Sequence, residues 1–216
     1  SRNKIGESSL IYNFYKNSDI SKYHTPSDSA IKLIYITKKE SISDYPEIES
    51  HLLRYKMILE NKRETKMGTL PWYSLHWPRK KEIFTGPKIV VPQRSIRNVF
   101  GYNETEWFAS ADVYYITSAK NNKDELKFLL ALLNSRLYFL WLFYNGKRKG
   151  DILELYAKPL EEIPFPFVDE QLKQEIIENS SNIVELRKNG AICSLSVSLE
   201  RKIDVLVYKI FNLSEN

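Results

Sequence analysis

The stretch KDELKFLLALLNSRLYFLWLFY, residues 123 to 144, limits the fold more than any other. Leu126, Leu129, Leu130, Leu133, Leu137, Leu140 and Trp141 recur at spacings of three and four, which places them along one side of a helix. So apolar a stripe must be covered, so other elements have to pack on it. With 216 residues and 43% hydrophobic content the chain can build that core. Asn122 suits the N-cap, and NGKRKG at 145 to 150 ends the pattern. Asn134, Ser135 and Arg136 interrupt the apolar run, and no stretch of about 18 uncharged apolar residues exists, so no membrane span is expected.

Elements that could cover the stripe lie on both sides of it. IKLIYIT, residues 31 to 37, has the β-branched and aromatic content of a strand. Pro46, Glu47 and Glu49 open a helix that carries Ile48, Leu52, Tyr55 and Leu59 on one face. Residues 69 to 86 have no clean period and are expected as an ordered loop with one short helical turn, in which Trp77 packs beneath the loop in preference to the alternative of standing out as a wedge. Strand signals come next at 88 to 92, 95 to 100, 106 to 109 and 112 to 118, with a turn at GYNET, and predict an antiparallel meander. After the PFP segment at 164 to 166, residues 171 to 188 and 195 to 211 show helical spacing, and Asn189-Gly190 stops the first of them. The expected fold is α/β (α+β): a mixed, mainly antiparallel sheet with packed helices, residues 1–166, followed by a C-terminal helical hairpin, residues 167–216.

Several chemistries are excluded at this level. A single cysteine, Cys193, rules out an internal disulfide and any Cys-based zinc site, and His24, His51 and His76 lack ligand spacing. A reducing, cytoplasmic setting fits. Asp112 followed by Glu125-Leu126-Lys127 matches a nuclease-type metal pattern on paper. Glu125 opens a leucine-rich helix, however, where an acidic residue simply suits the N-terminus. Glycine-rich phosphate loops, nucleophile elbows, zinc-protease helices and an Asn-Pro-Pro-Tyr methyltransferase motif are all missing from the sequence. The opening SRNKIGESS has neither a signal-peptide core nor an initiator methionine and is expected of an excised piece of a longer protein or of a tag remnant.

The balance of 32 Lys and Arg against 27 Asp and Glu favours a polyanionic partner only where the cations cluster. They do so twice, at Arg79-Lys80-Lys81 and at Lys147-Arg148-Lys149, both beside aromatic residues. Cations on loops can approach phosphates and release counterions. The glycines at 146 and 150 favour the second cluster by allowing close backbone approach. A third feature is PKIVVPQRSIR, residues 87 to 97, in which an apolar strand delivers Gln93, Arg94 and Arg97. Pro92 lacks an amide donor and is expected to end regular pairing there.

The order of four blocks is distinctive: WYSLHWPRKKEIFTGPKIVVPQRS, FASADVYYIT, LKFLLALLNSRLYFLWLF and GDILELYAKPLEEIPFP. It resembles the C-terminal specificity domain of TaqI-like adenine-specific DNA methyltransferases, a domain shared with type IIG restriction-modification enzymes of the Eco57I class. NFYKNSDISKY is similar to that family's lead-in, and IDVLVYKIFNLSEN to its closing helix. Phe211 and Asn212 stand where the family usually has tyrosine and glycine. The resemblance implies a target recognition domain for double-stranded DNA. It also implies a parent enzyme whose separate N-terminal domain binds S-adenosylmethionine and methylates adenine N6. No cofactor and no catalytic group are then expected in this piece.

The family transfers no fixed recognition motif onto single positions, so residues are assigned from their chemistry. Arg94 and Arg97 suit guanine O6 and N7, and Gln93 suits adenine N6 and N7. Arg79, Lys80, Lys81, Lys147, Arg148 and Lys149 suit phosphates. Two alternatives stay open: half of a type I restriction specificity subunit, or a protein-interaction module in which the basic loops are incidental.

Overall fold

The computed structural model describes residues 9–190 and 194–213; Cys193 and both ends of the chain lie outside them. Contacts divide the chain into two units, Ser1–Phe14 with Asp28–Glu82, and Tyr15–Ser27 with Ile83–Asn216.

In the smaller unit, β1 (Ile11–Tyr15) pairs antiparallel with β2 (Lys32–Ile34), with Tyr12 opposite Leu33. The strand signal over 31 to 37 shortens to these three residues, although Ile36 beyond them is buried. Three short helices come next, α1 (Pro46–Leu53), α2 (Lys56–Glu60) and α3 (Arg63–Lys66). The helix expected to run on through Leu59 breaks at Arg54 and Tyr55. Ile48 and Leu52 find a core with Ile36 and Ile42, whereas Tyr55 is 48% exposed, so burial does not sustain the second half of the stripe. Trp77, expected under the loop, is instead 81% exposed.

The larger unit is built around β3 (Lys88–Pro92), every residue of which is buried. Its two faces serve different cores: Ile89 and Val91 join the helices, while Val90 packs with Tyr15, Trp107 and Val113. This alternation is the two-residue period of a strand covered on both sides. After β3 come β4 (Arg94–Ser95), β5 (Gly101–Asn103), β6 (Phe108–Ala109) and β7 (Val113–Ile116). β5 and β7 flank β3, both antiparallel to it, so the strands do not succeed one another as a meander.

The predicted turn at GYNET begins as strand β5. Gly101 serves close packing there, because a Cβ would stand 2.7 Å from the Thr25 methyl and 2.8 Å from the His24 carbonyl. The strand expected over 95 to 100 stops at Ser95. Beyond it Asn98 donates to the carbonyls of Leu133 and Ser135, at 2.7 and 2.8 Å, which commits this segment to the helices.

The leucine-rich stretch forms two helices, α4 (Lys123–Asn134) and α5 (Arg136–Tyr144), inclined by 65°. Asn122 caps α4 as expected, accepting from the amides of Asp124 and Glu125. Ser135 ends it, because its extended backbone starts a second helix that its hydroxyl caps at the Tyr138 amide. Asn134 holds the break from the sheet side: its amide group exchanges hydrogen bonds with both backbone groups of Phe100, at 3.0 and 2.8 Å. Leu126, Leu130 and Leu133 are buried as the stripe requires, whereas Leu140, past the bend, is 47% exposed. Among the described residues no single helix is long and apolar enough to cross a membrane.

The chain continues with β8 (Arg148–Lys149), β9 (Ile152–Glu154), α6 (Ala157–Glu161), α7 (Glu170–Lys188) and α8 (Ser194–Ile210). Asp169 caps α7, and Asn189 with Gly190 at φ +76° terminates it. The α7–α8 hairpin contributes Ile176, Ile183, Ile203 and Val207 to the same core as α4 and β3. Mixed α and β elements, antiparallel strand pairing and a C-terminal helical part are all present.

Candidate nucleic-acid interface

Pro92 does not end the pairing of β3. It stands opposite Val113, and the Gln93 amide carries the ladder one step further to the Asp112 carbonyl at 2.8 Å. A proline is tolerated here because the next residue supplies the donor. The Gln93 carbonyl then accepts from Leu155 at 2.8 Å, so the chain changes sheets at a single residue. The sheet it enters is small and antiparallel, in the order β4-β9-β8.

Its register decides which cations share a face. Arg94 lies opposite Glu154, and Lys149 opposite Ile152; Ser95 and Arg148 both lie opposite Leu153. Directly opposed residues point to the same side of a sheet. Leu153 is buried, so the side bearing Arg94, Glu154, Ile152 and Lys149 is the outer one. Lys147 joins it: its Nζ and an Arg94 guanidinium nitrogen each stand 3.5 Å from a Glu154 oxygen. Lys147 also lies over the Tyr156 ring at 5.1 Å. Hydrogen bonding to Tyr156, with the Glu154 carboxylate behind it, holds its pKa above the usual lysine value. Arg94 and Lys147 at one carboxylate, with exposed Lys149 opposite Ile152 on the same side, leave the outer face positive.

Arg148 belongs to the other side. Its guanidinium lies over the Phe143 ring at 4.0 Å and donates to the Gly150 carbonyl at 3.1 Å. Gly150 turns the β8–β9 hairpin at φ +62°, a conformation that favours glycine. Tyr144, at the end of α5, is 75% exposed and shares a surface hollow with Gly146, Arg148 and Gly150.

The structure therefore gathers Arg94 with Lys147 and Lys149, with Gln93 at the hinge of the sheet. Arg97 stands apart: it lines a cleft with Lys22, Arg136 and Arg201. Arg79, Lys80 and Lys81 belong to the smaller unit. Lys81 is engaged there with the Tyr12 hydroxyl at 2.6 Å and lies over its ring at 4.6 Å, while Lys80 is exposed. The Arg79 carbonyl accepts from Tyr35. Asp112 and Glu125, the loose metal pattern, accept from Ser110 and Ser118 respectively, and Glu125 is in the first turn of α4. Sequence inspection missed Glu154, whose register against Arg94 has no local signal, and it missed Lys22, Arg136 and Arg201, which come from three well-separated stretches of the chain.

Comparison with known proteins agrees with this architecture. Residues 12–165 match the model of the TaqI-like C-terminal specificity domain. The chain is 30% identical to the type II methyltransferase M.HincII of Haemophilus influenzae, over 73% of this chain and 38% of that protein. It is 31% identical to M.HindII from the same species, over 81% and 35%. M.MjaIV of Methanocaldococcus jannaschii is 28% identical, over 95% and 70%. The chain thus spans little more than a third of the two Haemophilus relatives. Among solved structures, the type IIL restriction-modification enzyme MmeI in complex with DNA shares the fold, with a TM-score of 0.66 over the whole chain and 30% of its own, at 15% identity. With more than half of its length matched by that model, the chain belongs to the TaqI-like C-terminal specificity domain family.

Proposed function

We propose that this chain is the sequence-specific DNA target recognition domain of an adenine-N6 methyltransferase. One observation carries the reading: the β4-β9-β8 sheet puts Arg94, Lys147 and Lys149 on one solvent-facing side, directly beyond a strand buried on both faces. A rigidly seated strand delivers Gln93 and Arg94 at a fixed height, as readout of base edges demands. Arg94 offers a two-pronged donor set for guanine, Gln93 an amide for adenine, and Lys147 and Lys149 balance phosphates. Lys80, with Arg79 and Lys81, adds phosphate contacts from the smaller unit. The methyltransferase names of the relatives support a parent enzyme in which a further domain supplies S-adenosylmethionine binding and transfer. This chain supplies the address on the DNA, residues 1–166 carry the readout, and the helices after 166 brace it.

The test is site preference in the full-length protein. A duplex selected from random sequence, and its single-base variants, are assayed for binding and methylation with Arg94 intact and with Arg94→Ala. The expected loss is about 1–3 kcal/mol, confined to one base pair, with preference relaxed there. Unchanged preference and rate would remove Arg94 from the reading set.

A further inference from the structure

A cleft of about 790 Å³ opens between α5, α8 and the segment after β4, and three arginines from separate stretches line it: Arg97, Arg136 and Arg201. All three are exposed, and no carboxylate pairs with them among the described residues.

The charges at the back of the cleft are already committed. Lys22 donates to the Asn134 carbonyl at 2.8 Å and faces Glu200 at 3.8 Å. Asp204 accepts from the Arg136 amide at 2.8 Å, so the amino end of α5 is occupied by a carboxylate of the protein itself. Burial draws the Lys22 pKa down and pushes the Asp204 pKa up, which reflects how far both are withdrawn from water. Asp204 is shared between Lys22 and Arg136, and Arg97 and Arg201 add two further exposed guanidinium groups to the lining. Exposed arginines lining one cleft favour an anion long enough to meet more than one of them.

The position of the cleft selects among anions. Arg97 lies three residues of chain beyond Arg94, a reach of at most about 11 Å. B-DNA carries a charge for about every 1.7 Å of axis, so a duplex touching Arg94 brings several phosphates within that reach. Guanidinium forks match phosphate oxygens in pairs, and the exposed Ile96 and Leu140 at the rim offer deoxyribose an apolar surface.

We propose that this cleft is a clamp for the sugar-phosphate backbone of the duplex, in which Arg97, Arg136 and Arg201 hold phosphates and read no base. The proposal rests on the DNA-recognition reading above. It assigns Arg97 to positioning and adds two helix-borne arginines to the interface.

The experiment measures the salt dependence of binding by the full-length protein, to a selected duplex and to a scrambled one, for wild type, Arg136→Gln/Arg201→Gln and Arg136→Lys/Arg201→Lys. Thermal unfolding checks that each variant is folded. Losing two phosphate contacts lowers the slope of log K against log salt by about 1.8, and affinity falls about tenfold or more on both duplexes alike. Site preference stays unchanged, and the lysine pair restores most of the slope. A slope equal to wild type in the glutamine pair overturns the clamp while leaving the recognition reading intact, and so does a loss confined to the selected duplex. Wild type that prefers no sequence at all overturns the recognition reading itself.

Discussion

At the residue scale, two side chains decide how charge is managed. Glu154 holds Arg94 and Lys147 together at 3.5 Å from each. In the proposed DNA complex both cations leave that carboxylate or share it. Because both are well exposed, water and salt screen each pair and little holds the cations in place. Glu154→Gln is therefore expected to raise DNA affinity two- to fivefold at low salt, an effect that fades as salt rises; titrations at two ionic strengths check it. Lys88 is the opposite case, a buried amine that donates to the Gly86 carbonyl at 2.9 Å, Asn103 Oδ1 at 3.1 Å and the Thr105 carbonyl at 2.5 Å. Burial lowers its pKa from 10.5 to about 8. Between those two values the unfolded chain binds more protons than the folded one, so stability from this residue rises with pH across that window and is flat below it. The rise amounts to at most about 3 kcal/mol. Denaturant unfolding at pH 7.5 and 10, set against Lys88→Met, isolates it: the variant is expected to lack the slope.

At the element scale, the bend between α4 and α5 organises the larger unit. Its hydrogen-bonding partners are Asn98, Asn134 and Ser135, all buried. Asn134→Ala strands the amide and carbonyl of Phe100 without partners and is expected to cost about 2–4 kcal/mol. Ser135→Ala loses one cap, at about 1 kcal/mol. Denaturant unfolding of both variants, with Asn134→Ala the more damaged, checks the order. Much at this scale was legible in the sequence: the Asn122 cap, the Gly190 stop, the α7 and α8 spans and the buried centre of β3 all arise from local patterns. The bend did not show, because a three-four spacing of leucines reads the same through a capping serine as through a continuous helix. Ser135 makes the break, and Asn98, more than thirty residues earlier, satisfies the Leu133 and Ser135 carbonyls there, a contact to which periodicity has no access. Gly101 misled for a related reason. In sequence it marks a turn; in the fold it marks where Thr25 comes too close for a side chain.

At the scale of the whole molecule, the helices past residue 166 share the core that seats β3. Ile176, Ile183, Ile203 and Val207 are fully buried. At about 2 kcal/mol each, their loss approaches the net stability of an ordinary domain. A chain ending at residue 166 is expected to lose cooperative unfolding and to be digested rapidly by protease at concentrations that leave the longer chain intact. The candidate site was only half visible from the sequence. The basic clusters and the Gln93–Arg94 pair stand out as strings, but only Lys147 and Lys149 of the second cluster share a side with Arg94, while Arg148 lies on the other. Which cations share a face depends on strand register, and the cleft around Arg97 depends on residues as distant as Lys22 and Arg201. The change of sheets at Gln93 has a further consequence for how such a protein diversifies. Gln93 and Arg94 are held through main-chain amides and carbonyls, including the Arg94 carbonyl on the Asn17 side chain at 3.2 Å. A change of side chain at either position leaves those bonds in place, so under the proposed recognition role a point substitution there would alter the target while the scaffold is inherited unchanged.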